Sequence, residues 1–350
     1  MTIRIGIAAL AALALAGCAA TTPPATTGGS PSAGTSTPAK TPTKLTVVTH
    51  DSFVLPEELL KKFADESGYE VTYVAPGEST SLVNQLILTK DSPLGDVVYG
   101  IDSALASRAV REGVVTPYVA DAPVADGLAA DGLTPVDFGD VCINADTAWF
   151  SAHDLDVPTT LDDLTKPEYR DLLVMPSPTS SSPGQAFLLA SVGAKGDGWL
   201  DYWKALKANG MKVASGWTEA YYTDFSGADG KGPRPLVLSY ATSPAYTVAD
   251  GASTTQALLD TCLRQVEYAG VLAGAENQDG AKAFVDFLMT PEVQAAIPGS
   301  MYMYPAVSSV ELPQEWVQFA PLAEHPIAVP AADVDQHLEE WLRTWAEAIG

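Results

Sequence analysis

From Lys44 onward, short β-branched runs alternate with stretches whose apolar residues recur at helical spacing. That alternation restricts the chain to helices layered on an open sheet, an α/β class. LTVVTH (45–50) reads as a buried strand, and PEELLKKFADES (56–67) as a helix with Leu59, Leu60 and Phe63 inward and Gly68 as its stop. YEVTYV (69–74) is a second strand. A helix over 79–90 carries Leu82, Val83, Leu86 and Ile87, and DVVYG (96–100) is a third strand. A helix over 103–113 follows. Further strands are expected at 141–145, 172–176, 212–214, 235–240 and 263–270, and helices at 184–193, 197–209, 217–226, 278–289 and 331–347. No internal repeat is visible. The pattern alone leaves a nucleotide-binding enzyme, a hydrolase and a two-lobed binding protein all open.

The first twenty residues are of a different kind. Arg4 precedes an apolar run from Ile5 to Ala16, too short to span a bilayer and typical of an export signal. Leu15-Ala16-Gly17-Cys18 resembles the bacterial lipobox, in which cleavage before the cysteine leaves its thiol and new amine to carry acyl chains such as palmitate. By that resemblance 1–17 is a lipoprotein signal peptide and Cys18 the lipidated N-terminus; the alternative is an ordinary secreted protein whose signal ends in cysteine. Residues 18–43 are almost wholly Thr, Ser, Pro, Gly and Ala, with no apolar face to fold, so they read as a disordered tether.

With 19 basic against 43 acidic side chains, the net charge is −24. A chain this negative without a Lys/Arg block has no footprint for nucleic acid and no basic patch for an anionic membrane. The loop after the first strand, His50 to Val54, lacks a glycine-rich phosphate motif, and no nucleophile elbow, paired-histidine zinc motif or CxxC pair occurs anywhere. His50, His153, His325 and His337 are scattered. No side chain is therefore assigned a catalytic role and no metal site is expected.

Aromatic and hydroxyl residues gather instead in loops beside strand ends: 51–53, 100–102, 180–184, 216–221, 239–244 and 302–304. In open α/β sheets these ends hold ligands. Aromatic faces with carboxylates suit an organic cation, because ring quadrupoles and ionised oxygens both attract it. The same residues equally suit ordinary core packing. Asp102, directly after a strand, reads more as a cap for the helix near Ser103 than as a ligand group.

Six segments, THDSF (49–53), DVVYGID (96–102), SPTSSSPG (177–184), GWTEAYY (216–222), LVLSYATSPAY (236–246) and FLMTPEVQAAIP with MYPAV (303–307), occur in the order found in the thiamine-binding components of bacterial ABC importers. The chain resembles that family of solute-binding lipoproteins over roughly 300 residues. The resemblance implies a two-lobed type II periplasmic-binding-protein fold, each lobe a mixed sheet flanked by helices, hinged by crossing strands. It implies a first lobe of 44–140 and 266–350 and a second of 141–265. The expected role is ligand capture at the outer face of the cytoplasmic membrane and delivery, as a monomer, to a permease driven by an ATPase.

Positions that clasp thiamine or its phosphates in the family match Asp51, Trp217, Tyr221 and Tyr240, with Ser180 and Ser181 in a loop able to donate to a hydroxyl or phosphate. Tyr302 stands where familiar relatives carry Trp, keeping an aromatic face with a smaller ring. Trp217, Tyr221 and Tyr302 are expected to face the rings, Asp51 or Glu219 to offset the cation or accept from the pyrimidine amine, and Thr242 and Ser243 to meet the hydroxyethyl arm. Cys142 and Cys262 lie on strand-like segments near the crossing strands in the family, and in an exported protein they are expected to form a disulfide. The rivals are a ferric-ion binder using Tyr221 and Tyr222, a binder of polyamines or other small cations, and a lipid-anchored hydrolase. The choice among thiamine, its monophosphate and its diphosphate is not set by the sequence.

Overall fold

A computed structural model describes residues 43–228 and 230–350. The signal peptide, Cys18 and the tether up to residue 42 lie outside the described residues. Eight strands carry the framework: β1 (Thr43–Thr49), β2 (Tyr69–Val74), β3 (Val97–Asp102), β4 (Thr134–Asp146), β5 (Leu173–Pro176), β6 (Lys212–Ala214), β7 (Leu236–Tyr240) and β8 (Leu263–Leu272). They hydrogen-bond in the order β2-β1-β3-β8-β4-β7-β5-β6. Three pieces, Val115–Thr116, Thr255–Ala257 and Tyr304–Pro305, add to β8 and β4 and complete an eleven-stranded sheet among the described residues.

The two ends of the sheet are parallel, with β1 beside β2 and β3 at one end and β5 beside β6 and β7 at the other. Between them β8 and β4 run antiparallel to each other and to their outer neighbours β3 and β7. The α/β class follows, with two parallel lobes joined through a long antiparallel pair. β3 and β4 are buried along their whole length, which is why β3 reads as an unbroken apolar run rather than an alternating one.

β4 is the largest departure from expectation. The sequence shows only its second half, 141–145, because Pro135, Asp137, Gly139 and Asp140 are types that strands avoid. Tertiary partners override that local preference. Arg264 on β8 donates to both carboxylate oxygens of the fully buried Asp140, at 2.8 and 3.0 Å, and the Ala323 amide adds a third bond at 2.8 Å. Near the far end of the β4–β8 ladder, Cys142 and Cys262 form a disulfide with Cα atoms 4.3 Å apart.

Most helices fall where periodicity places them, including Glu57–Ser67, Ser79–Leu88, Trp199–Ala208, Gln278–Leu288 and Ala331–Ala348. The expected helix at 217–226 is instead one short turn, Trp217–Glu219, running into a π-turn, Ala220–Asp224. The helices Thr147–Ala152, Pro291–Met301 and Gln314–Phe319 are additions; the second holds Pro298 in its interior, which masks it in sequence. Among the described residues, no helix is long and apolar enough to cross a membrane.

Candidate functional site

Both parallel ends of the sheet contribute loops to one cavity of about 550 Å³. From the β1–β3 side come His50, Asp51 and Glu78, and from the β5–β7 side Trp217, Tyr221 and Tyr240. Glu267 of β8 lies at the floor, and Met301 to Met303 close a third side. The volume suits a small organic molecule.

One wall is aromatic. Trp217 and Tyr221 stack with ring centroids 5.0 Å apart and planes 15° from parallel, and Tyr222 meets both edge-on. Neighbours on a regular helix diverge by about 100°. The wider π-turn, closed by the Phe225 amide on the Ala220 carbonyl at 3.0 Å, lets Tyr221 and Tyr222 line the same cavity. Tyr221 is also a packing residue, 2% exposed and in contact with Phe225. The Trp217 indole N–H donates to Ser239 Oγ at 3.0 Å, and Ser239 Oγ lies 2.8 Å from Ser243 Oγ, so the ring is oriented from behind.

Carboxyl groups stand at three depths. Asp51 is exposed at the rim, Glu78 is half-buried, and Glu267 is 4% exposed at the floor. Glu78 Oε1 accepts the Trp217 backbone N–H at 2.9 Å, a bond between the loop after β2 and the turn after β6. A Cβ on Gly216 would sit 2.2 Å from that oxygen, so glycine there leaves the carboxylate room to take this position. Burial pushes the Glu78 carboxyl up, and Asp51 adds to the rise against the hydrogen bonds that lower it.

Beneath the floor lies a buried cluster. The Tyr99 hydroxyl is 2.6 Å from Asp137 Oδ2 and 2.8 Å from Glu267 Oε2. One phenolic proton cannot serve two carboxylates, so the pair holds a further proton. Burial, then the charge of Glu267, pushes Asp137 far above the carboxylate range. Burial also opposes a charge on Glu267, but His50, Tyr99 and Asp137 outweigh it and hold Glu267 low, so the negative charge resides there. The Ser52 amide donates to His50 Nδ1 at 3.2 Å, which fixes the ring proton on Nε2, 3.5 Å from Glu267 Oε2. Gly100, at φ +101°, gives His50 its place: a Cβ there would lie 2.3 Å from the imidazole Cδ2.

The cavity gathers Asp51, Trp217, Tyr221, Tyr240, Ser243 and Tyr302. Four other residues singled out from sequence lie outside its lining. Ser180 donates to the Ser215 carbonyl at 3.1 Å, and Ser181 is fully buried beside Glu78. Glu219 does not line the cavity. It accepts from the Ser215 amide and hydroxyl at 2.9 and 2.6 Å, which lower its carboxyl, and the carboxylates that do line the cavity with Asp51 are Glu78 and Glu267. Thr242 Oγ1 donates to the Tyr302 carbonyl at 2.6 Å and so supports the left-handed backbone of Tyr302, φ 54°, at the end of helix Pro291–Met301. Asp102 caps the following turn, accepting the Ala104 and Leu105 amides at 2.9 and 3.1 Å, and also takes the Ser182 hydroxyl from the other side of the sheet.

Sequence reasoning missed Glu78 and Glu267. The first sits in the loop after β2, where the strand-end rule already points, and the second is a lone carboxylate inside the apolar run LRQVEYAGVL.

Two lobes on one hinged sheet, with an aromatic and acidic cavity between their loops, define a type II binding protein of the periplasmic class. The chain matches the family described as bacterial extracellular solute-binding protein over residues 92–322, and it belongs to that family. It is 30% identical over 315 residues to the thiamine-binding periplasmic protein of Escherichia coli (strain K12), covering 87% of this chain and 93% of the relative. The protein of that name from Brucella melitensis biotype 1 is 29% identical over 316 residues, covering 87% and 92%. Among solved structures, a periplasmic thiamin binding protein superposes with a TM-score of 0.77 at 28% identity, covering 88% of this chain and 96% of that one.

Proposed function

We propose that the protein binds thiamine between its lobes and delivers it to the membrane permease of an ABC importer driven by a separate ATPase. The observation that carries this reading is the stacked Trp217–Tyr221 wall facing Glu78 and Glu267 across one cavity. A thiazolium on the aromatic face gains from the ring quadrupoles, and the carboxylates offset its charge in a setting drier than water. Glu267, or Asp51 at the rim, accepts from the pyrimidine amine, and Ser243 is placed to meet the hydroxyethyl arm. The names of the relatives support thiamine as the cargo. The role is capture and release, without turnover of the ligand, so no residue is assigned a catalytic part.

In this reading the first lobe comprises 44–140 and 266–350 and the second 141–265, and the protein acts as a monomer. Cys18 carries the acyl anchor, which holds the tethered body at the outer face of the cytoplasmic membrane. Incorporation of labelled fatty acid that disappears in Cys18→Ser checks the anchor.

Calorimetry with thiamine tests the cargo. One-to-one binding is expected in the wild type, and Trp217→Ala should weaken it about five- to thirtyfold, given ~1–2 kcal/mol for a desolvated cation–π contact. A ferric-ion binder is the rival, since Tyr221 and Tyr222 share the cavity. Burial pushes the Tyr221 hydroxyl far above its ordinary range, which opposes the phenolate that iron requires. A visible charge-transfer band on iron addition, with no heat from thiamine, would favour iron.

A further inference from the structure

We propose that helix Ala331–Ala348 is a strap across the two lobes, anchored on the second by its apolar end and latched to the first by the carboxylates of its opening turns. Such a strap acts on the lobes themselves, whatever the cargo.

By chain order this helix belongs to the first lobe, yet its approach and its far end pack on the second. Just before it, the Ile327 amide donates to the Cys262 carbonyl at 2.7 Å. A Cβ on Gly193 of helix Ser182–Lys195 would lie 2.8 Å from the Ala328 carbonyl, so the two segments are in close contact. At the far end Trp345 meets Trp203 of helix Trp199–Ala208 edge-on, both rings buried, with centroids 5.4 Å apart. Lys207 of that helix donates to the Ile349 carbonyl at 2.8 Å. Two indoles buried against each other do not part in a hinge motion.

The near end is polar and meets the other lobe. Asp335 and Glu339, one turn apart on one face, approach helix Ala106–Arg111, which follows β3. The Ser107 hydroxyl donates to Asp335 Oδ1 at 3.0 Å, Arg111 pairs with the same carboxylate, and Arg108 Nε lies 3.3 Å from Glu339 Oε1. Arg108 is held from its own lobe, donating to Asn84 of helix Ser79–Leu88 at 3.0 Å. Arg111, then Ser107, hold the Asp335 carboxyl low, so it stays ionised. These pairs are partly solvated, hence individually weak and screened by salt, and unlike the indole anchor they can break and re-form. They are made in the same arrangement as the bonds of Glu78 to the Trp217 amide and of Ser182 to Asp102 across the cleft, and so add to the closed state.

The test is small-angle scattering without ligand and calorimetry with thiamine, on the purified full chain, for the wild type, Arg111→Asp, and Arg111→Asp combined with Asp335→Arg. The single variant sets two acids against each other. It should raise the ligand-free radius of gyration and weaken thiamine binding about two- to fivefold at low salt, with the difference closing as salt is raised. The combined variant, with the opposite charges exchanged, should recover both. If the single variant does not fold, Asp335→Asn with Glu339→Gln removes the latch from the other side and should give the same changes. An unchanged radius and affinity overturn the latch. Tighter binding with a smaller radius overturns it as well, since the contact would then hold the lobes apart. A loss that the combined variant does not recover overturns the ion pair as its cause. If thiamine binds none of the forms, the thiamine reading falls, and the ligand-free radius still decides the strap.

Discussion

Asp102 ends β3, caps the turn that follows and accepts Ser182 from the opposite side of the sheet, all with one carboxyl group. Burial, with Glu267 adding to it against these hydrogen bonds, pushes that group up to about 6 from 3.8. The folded protein thus holds the Asp102 proton more tightly than the unfolded chain does. Its contribution to stability is full below about pH 3.8 and is lost as pH rises through about 6, amounting to at most ~3 kcal/mol for a shift of about two units. Asn can accept the same two amides without a charge. Thermal melts between about pH 4 and pH 7 should show wild-type stability falling relative to Asp102→Asn by up to that amount. A difference that stays flat across this range would refute the buried charge. Gly216 gives a second single-residue prediction: in Gly216→Ala the new Cβ displaces the flexible end of Glu78 from the Trp217 amide, so thiamine binding should weaken in calorimetry while stability to urea changes little.

The long antiparallel pair β4 and β8 is where local sequence signals and the fold diverge most. β1, β2, β3 and β7 were legible because each is rich in β-branched, aromatic or aliphatic residues, and in β1, β3 and β7 that preference agrees with burial. The first half of β4 was not, since Asp137 and Asp140 become strand residues only after Tyr99, Glu267, Arg264 and the Ala323 amide surround them. The π-turn was hidden for a related reason: the apolar spacing at 217–226 fits a regular helix, and only packing of Phe225 into the core separates the two. The cavity was legible as loops rather than as partners. Its aromatic wall could be named from residue type, but Glu78 and Glu267 owe their role to strand order, which the alternation of elements did not reveal. The same pair of strands supports two stability tests. The disulfide closes a 120-residue separation, so a Cys142→Ala, Cys262→Ala variant should lose ~4–5 kcal/mol by denaturant titration, on the loop-entropy account. Arg264→Leu leaves Asp140 buried without its ion pair and should cost ~3–5 kcal/mol in the same assay.

For the molecule as a whole, cross-cleft contacts such as Glu78 with the Trp217 amide and Asp102 with Ser182 join the parallel end of the sheet built on β1 to the one built on β5. A ligand that touches both ends favours the arrangement in which these contacts form, and it shifts the equilibrium only by its differential affinity for that arrangement. Any variant that weakens a contact without touching the ligand should lower apparent affinity by reducing the fraction of closed protein, while the closed state itself is unchanged. Asp102 permits that separation, because it lies outside the cavity lining. In Asp102→Ala, thiamine affinity by calorimetry should fall several-fold. Small-angle scattering should show a larger radius of gyration than the wild type without ligand and the same radius at saturation. An unchanged affinity would mean that the Ser182 contact does not bias closure. A larger radius at saturation would mean instead that Asp102 shapes the closed state itself, and closure would then have to be assigned to Glu78 and the bound cation.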